Sequence, residues 1–153
     1  MPLTLISPAF AEGETIPEKY VRDGENLMPP LKWTGTPQDT QSFVLIVEDP
    51  DAPRGTFHHC AIYNIPPDRE GLPQSIDTSQ DNALNFARND FGNARYDGPE
   101  PPTGHGPHHY HFRLAALDVP SLNIPAKAGA QQIWQEARKH VIEKAELVGV
   151  YER

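Results

Sequence analysis

The chain of 153 residues contains one cysteine, Cys60, which excludes any intrachain disulfide and fits a reducing compartment. Cations are also scarce: 13 Lys and Arg stand against 21 Asp and Glu, a formal net charge of -8. A field of that sign repels phosphodiesters and anionic bilayers, so nucleic acid is not an expected partner. Long apolar runs are missing too. The opening MPLTLISPAFAEGETIPEKY has no basic residue before Lys19 and is interrupted by Pro2, Ser7, Pro8, Glu12 and Gly13. It reads as neither a signal peptide nor a membrane anchor, and no integral membrane association is expected. A cytoplasmic protein follows from these absences. The apolar share, 37%, suffices for one sizeable core, so a single domain over 1–153 is expected.

Proline and glycine, by contrast, are plentiful: 17 and 11 residues spread along the chain favour many short elements joined by turns. SFVLIVED (42–49), CAIYNIP (60–66) and YHFRLAALD (110–118) are rich in β-branched and aromatic residues and bounded by Pro, Gly and Asp, the signature of strands. Further on, AQQIWQEARKHVIEKAELVG places Ile133, Ala137, Val141 and, with one slip, Ala145 and Val148 along one side at helical spacing. The spacing predicts a helix over roughly 130–148, with Gly149 as a left-handed C-cap. The expected fold is mostly β: an antiparallel β-sandwich, with a helix near the C-terminus docked against it.

Two stretches carry unusual polar chemistry. DPDAPRGTFHH (49–59) and GHGPHHYH (104–111) hold six of the seven histidines, at 58, 59, 105, 108, 109 and 111, next to Asp49 and Asp51. If 108–114 is extended, His108, Tyr110, Phe112 and Leu114 share one face, and His109, His111 and Arg113 the other. The same alternation puts His59 with Ala61, Tyr63 and Ile65, opposite Cys60, and puts Asp49 with Phe43, Leu45 and Val47. The glycines and prolines of YDGPEPPTGHGP let backbone approach a ligand closely. The two stretches read together as the walls of a small polar pocket.

In their order, SPAF, IPEKY, DGENLMPPLKW, VEDPDAP, HHCAIYNIP, RNDFGNARYDGPEPP, GPHHYHFRLAALD and AELVGVYER resemble the phosphatidylethanolamine-binding proteins, also called Raf kinase inhibitor-like proteins, in their short bacterial branch. The resemblance covers nearly the whole chain and implies a Greek-key β-sandwich with peripheral helices. It also implies a pocket for phosphate-like groups built from Asp49, Pro53, Phe57, His59, Gly98, Pro102, His108 and Tyr110. His58, Cys60 and His109 depart from the branch's usual residues, with none of the three directly in that pocket.

Two imidazoles, a phenol and backbone N–H groups suit an oxyanion, because charge-assisted hydrogen bonds are worth about 1.5 to 3 kcal/mol each against about 1 for neutral ones. Asp49 would orient and help protonate His59, or accept from a protonated phosphate or an ammonium head group. The expected function is thus a binding module for small anions or phosphoryl head groups such as phosphate, phosphoethanolamine or phosphorylated side chains. It would need no cofactor and perform no catalysis. The resemblance adds regulation of a kinase or another phosphoprotein, and admits a homodimer. The competing expectation is a metal-dependent hydrolase using the Asp/His clusters, against which stand histidines on both strand faces and the lack of an H-E-x-x-H pattern.

Overall fold

The computed structural model describes residues 2–76, 84–125 and 127–153. Among the described residues two antiparallel sheets form from eight strands: β1 (Thr4–Ile6), β2 (Leu31–Thr34), β3 (Ser42–Asp49), β4 (Phe57–Ile65), β5 (Gly71–Leu72), β6 (Asn85–Phe86), β7 (His108–Leu117) and β8 (Val141–Tyr151). The smaller sheet has the order β1-β2-β5 and the larger β6-β4-β3-β7-β8. Within the larger sheet β3, β4 and β6 run outward in sequence and β7 returns to the free side of β3, which is the Greek-key order.

The near-continuous apolar run of β3 has its cause in this central place, where both faces are covered. Phe43, Leu45 and Val47 join Leu5, Trp33, Leu72, Phe112 and Leu147 in the core between the sheets. Val44 and Ile46 point the other way, into a second core with Ala61, Ala115, Leu117 and the apolar stripe Ala130, Ile133 and Ala137 of helix α1 (Ala130–Ala137). Gln132 Oε1 accepts the Gly129 N–H at 3.1 Å, closing the start of that helix.

The helix is shorter than its sequence pattern predicts. It ends at Ala137, one 3₁₀ turn (Arg138–His140) follows, and Val141–Tyr151 is the edge strand β8, not the second half of a helix. Glu, Lys, Ala and Leu in 143–147 favour a helix intrinsically, but pairing with β7 from His108↔Tyr151 to Leu117↔Val141 outweighs that preference. Gly149 is accordingly no C-cap. It lies in β8 opposite Tyr110, where an added Cβ would stand 2.5 Å from Ile16 Cγ1 and 2.8 Å from Phe10 Cε2.

Simple alternation also fails in β4. Its pairing with β3 steps from Val47↔Cys60 to Glu48↔His58, leaving His59 as an extra residue, and slips again between Leu45↔Ile62 and Phe43↔Ile65, where Asn64 adopts φ 55°. These are β-bulges, which re-aim side chains. Cys60, Ile62 and Ile65 therefore face the core between the sheets, while Ala61 and Tyr63 face the helix. His59 does not share a face with Ala61 and Tyr63, nor does it oppose Cys60: its ring lies 5.3 Å from that of Tyr110, on the side of Cys60 and Ile65.

Candidate functional site

The larger sheet brings the ends of β3 and β7 and the start of β4 to one edge of the inter-sheet core. Asp49, the last residue of β3, closes the following turn by accepting the Asp51 N–H on Oδ1 at 2.8 Å. Its Oδ2 accepts the Nδ1–H of His108 at 2.6 Å. Both oxygens are thus engaged, and the histidine that Asp49 orients is His108, not His59. On the far side of His108, the Nε2 lies 2.6 Å from Nδ1 of His105, so one shared N–H joins the two rings.

His59 is held from another direction. Its Nδ1–H donates to the Asp97 carbonyl at 2.8 Å, which fixes the tautomer and leaves Nε2 free. Burial pushes this imidazole below its ordinary pKa, against the opposing pull of the Asp97 carbonyl and the Asp49 charge. The loop beneath it is knit by Asp97 and Asn89. Asp97 Oδ2 accepts from Asn89 Nδ2 at 2.8 Å and Asn93 Nδ2 at 2.9 Å, and Oδ1 from Asn26 Nδ2 at 2.9 Å and Arg95 Nε at 3.0 Å. Burial alone would raise the Asp97 carboxyl, but these donors hold it at about 2. Asn89 Oδ1 accepts the Phe91 N–H at 3.0 Å and so sets Phe91 in place.

Tyr110 completes the arrangement. It is buried, and its hydroxyl is one of two buried side-chain polar atoms among the described residues that make no hydrogen bond. Burial, reinforced by the Asp49 charge and opposed by Arg153, pushes the phenol well above its ordinary range, so it stays a neutral donor.

Asp49, Pro53, Phe57, His59, Pro102, His108 and Tyr110 line one cavity of about 200 Å³. Gly98 is not on its wall. The N–H of Gly98 donates to Asn26 Oδ1 at 2.6 Å, and an added Cβ would lie 2.1 Å from the Tyr20 carbonyl oxygen, so packing accounts for this glycine. The chain matches the sequence profile of the family described as Phosphatidylethanolamine-binding protein over residues 6–152. The chain belongs to that family.

Similar members include a UPF0098 protein of Pyrococcus horikoshii, 44% identical and aligned over 97% of this chain and 76% of its own length. Among solved structures, Escherichia coli YbcL, described as a member of the mammalian PEBP family, superposes with a TM-score of 0.95 at 31% identity, covering 100% of this chain and 99% of that one. A phosphatidylethanolamine-binding protein homologue from Chlamydia trachomatis gives 0.88 at 34% identity, covering 99% and 98%. Family membership supports a ligand-binding module in general, and neither the family description nor these names assigns a reaction. Among the described residues no helix is long and apolar enough to cross a membrane. One Mycobacterium tuberculosis relative, 36% identical over 99% of this chain and 73% of its own length, bears the name of a lipoprotein, so a cytoplasmic location does not follow from membership.

Within this family member, sequence reasoning missed four cavity residues: Ala52, Phe91, Glu100 and Pro101. Phe91 packs edge-on against Phe57 at 4.7 Å and against His59 at 5.8 Å, and Arg22 lies over its ring at 3.9 Å. Arg22 Nη1 also pairs with Glu100 at 3.3 Å, neutralising the second carboxylate on the wall. The dense Asn and Asp of RNDFGNARYDG were the available signal for this loop. The remaining histidines of the two stretches point elsewhere. His58 pairs with Glu48 and Asp90, His109 with Asp51, and His111 with Glu146.

Proposed function

We propose that the cavity binds a tetrahedral oxyanion, free or as the phosphoryl end of a larger molecule. The observation that carries the reading is the buried Tyr110 hydroxyl on the wall of the cavity, a donor that makes no hydrogen bond of normal length and angle and meets the Asp49 carboxylate at most loosely. Buried donors are rarely left unmet, and one that is left unmet implies an occupant. Around it stand two imidazoles whose inner nitrogens are already fixed, His59 on a carbonyl and His108 on Asp49, so that Nε2 is the atom each can turn to a ligand, donating to it when the ring is protonated and, for His108, once His105 is displaced. The carboxylates do not contradict an anion: Asp49 is spent on His108 and the Asp51 N–H, and Glu100 is paired with Arg22. Asp49, Pro53, Phe57, His59, Pro102, His108 and Tyr110 are the proposed ligand-binding residues.

The metal-dependent hydrolase has less support. Among the described residues no group of three His, Cys, Asp or Glu side chains is arranged to hold a metal ion, because the sheet sends His58 and His111 to its other face and His109 to Asp51.

The proposed biological occupant is a phosphorylated side chain of a kinase or another phosphoprotein. Calorimetric titration with inorganic phosphate, phosphoethanolamine, O-phosphoserine and a phosphoserine peptide, together with flotation on phosphatidylethanolamine vesicles, tests the reading and separates the sources. Binding of the phosphoserine peptide more tightly than free phosphate supports it. Failure of all the soluble anions to bind at millimolar concentration refutes the oxyanion site, and flotation without peptide binding redirects it to a lipid. Cell fractionation tests the cytoplasmic location expected from the lone buried thiol.

A further inference from the structure

We propose that His105 is an internal stand-in for the ligand, a residue that occupies Nε2 of His108 in the empty site and must be displaced before an oxyanion binds. The inference rests on the oxyanion reading above and adds the element that sets its affinity.

The argument begins with nitrogen atoms. Nδ1 of His108 is committed to Asp49 at 2.6 Å, so Nε2 alone remains for a ligand, and that atom is taken by Nδ1 of His105, also at 2.6 Å. The rings lie 4.9 Å apart and tilted by 60°, a hydrogen-bonding rather than a stacking arrangement. An oxyanion and His105 cannot both use this atom. His108 is buried whereas His105 is exposed, and the contact with His108 is the one hydrogen bond that the His105 side chain makes among the described residues.

The local backbone is built to hold the ring there and release it. Gly104 and Gly106 flank His105 at φ 76° and 89°, conformations that other residues rarely adopt, and a Cβ at either would meet nothing within 4 Å. These glycines are therefore required by backbone shape and not by crowding, and the His105 between them is exposed. The base of the loop is fixed, since the His105 N–H donates to the Pro102 carbonyl at 3.2 Å and the Gly104 N–H to the Arg153 carbonyl at 2.9 Å. Displacement then needs only side-chain rotation on an anchored loop.

The chemical consequence is selectivity. When His108 is protonated and Nε2–H donates, a ligand that offers it a neutral acceptor gains about what the His105 contact already supplies, whereas a charged oxygen makes a bond roughly twice as strong and wins the exchange. His105 thereby raises the threshold for entry and favours anions over water or alcohols.

The test is calorimetric titration of sulfate into the unmodified protein and His105→Ala at one pH, with ¹⁵N spectra of the imidazole rings recorded with and without saturating sulfate. His105→Ala should bind sulfate about fivefold more tightly, the factor for one freed hydrogen bond of about 1 kcal/mol. The ring nitrogens of His105 and His108 should report their mutual hydrogen bond in the free protein and its loss in the sulfate complex. Equal or weaker binding by His105→Ala, or a ring contact that survives saturation, overturns the proposal while leaving the oxyanion site intact. Sulfate binding by neither protein removes the site reading and this inference with it.

Discussion

Replacing Tyr110 with Phe should stabilise the empty protein and weaken the complex. The hydroxyl makes no hydrogen bond of normal length and angle, with at most a loose approach to the Asp49 carboxylate, and has essentially no contact with solvent, so the folded state carries much of the desolvation cost of an unmet polar group, about 1 to 3 kcal/mol. Phe keeps the ring that packs against His59 at 5.3 Å, and the atom it removes leaves a gap smaller than a methyl group. Set against each other, these effects leave a net gain of about 1 kcal/mol, or about 2 to 4 °C in melting temperature for a chain of this size. The same change removes one donor to an anionic ligand, worth about 1.5 to 3 kcal/mol, so sulfate affinity should fall by about tenfold to a hundredfold. Urea unfolding followed by fluorescence of buried Trp33 measures the first quantity and calorimetric titration the second. A destabilised Tyr110→Phe would mean that the hydroxyl is satisfied in the empty protein, and unchanged sulfate affinity that it does not face the ligand; either result refutes the reasoning.

Acidification should cost stability through His59, whose folded pKa lies below 6.5 because of burial. Below pH 6.5 the unfolded chain takes up a proton that the folded one resists, so stability falls as pH drops, with a limiting slope of about 1.4 kcal/mol per pH unit. Sulfate should offset that loss, binding more tightly and with net proton uptake as pH falls from about 8 to about 5.5; level affinity across the range would withdraw His59 as a titrating donor. Gly98→Ala should destabilise by about 1 to 3 kcal/mol, because its Cβ meets the Tyr20 carbonyl oxygen, and a stable variant that has lost sulfate would return Gly98 to the site. Asp97→Ala should cost about 3 kcal/mol in urea unfolding by stranding the amides of Asn26, Asn89 and Asn93, and a loss below 1 kcal/mol would show that these donors re-pair freely.

The central strands were legible because their sequence is dictated by burial on both faces. SFVLIVED is β3 to the residue, and the facing of His108, Tyr110 and Phe112 into the inter-sheet core follows from period-two alternation. The site residues came from the family resemblance and from that alternation, and seven of eight meet at one cavity. Three features escaped. The apolar spacing of 130–148 fitted a helix only with a slip, and the slip fell near the true boundary, where intrinsic helix preference gives way to pairing with a strand distant in sequence. The bulge at His59 inserts one residue against one partner strand, a two-body geometry that a single chain's alternation does not encode. Phe91 and Glu100 lie on loops and reach the cavity through Asn89 and Arg22, contacts without a periodic signature.

The return of β7 to the side of β3 has a kinetic corollary. Asp49 and His108 are 59 positions apart, and His59 and the Asp97 carbonyl 38, so no short stretch of the chain holds the whole cavity. Such non-local closure is expensive in loop entropy and forms slowly. An anion therefore has nothing to grip until the strands have docked, and if the edge of the sheet is still open in the transition state, ligand should lengthen the lifetime of the folded protein without hastening its formation.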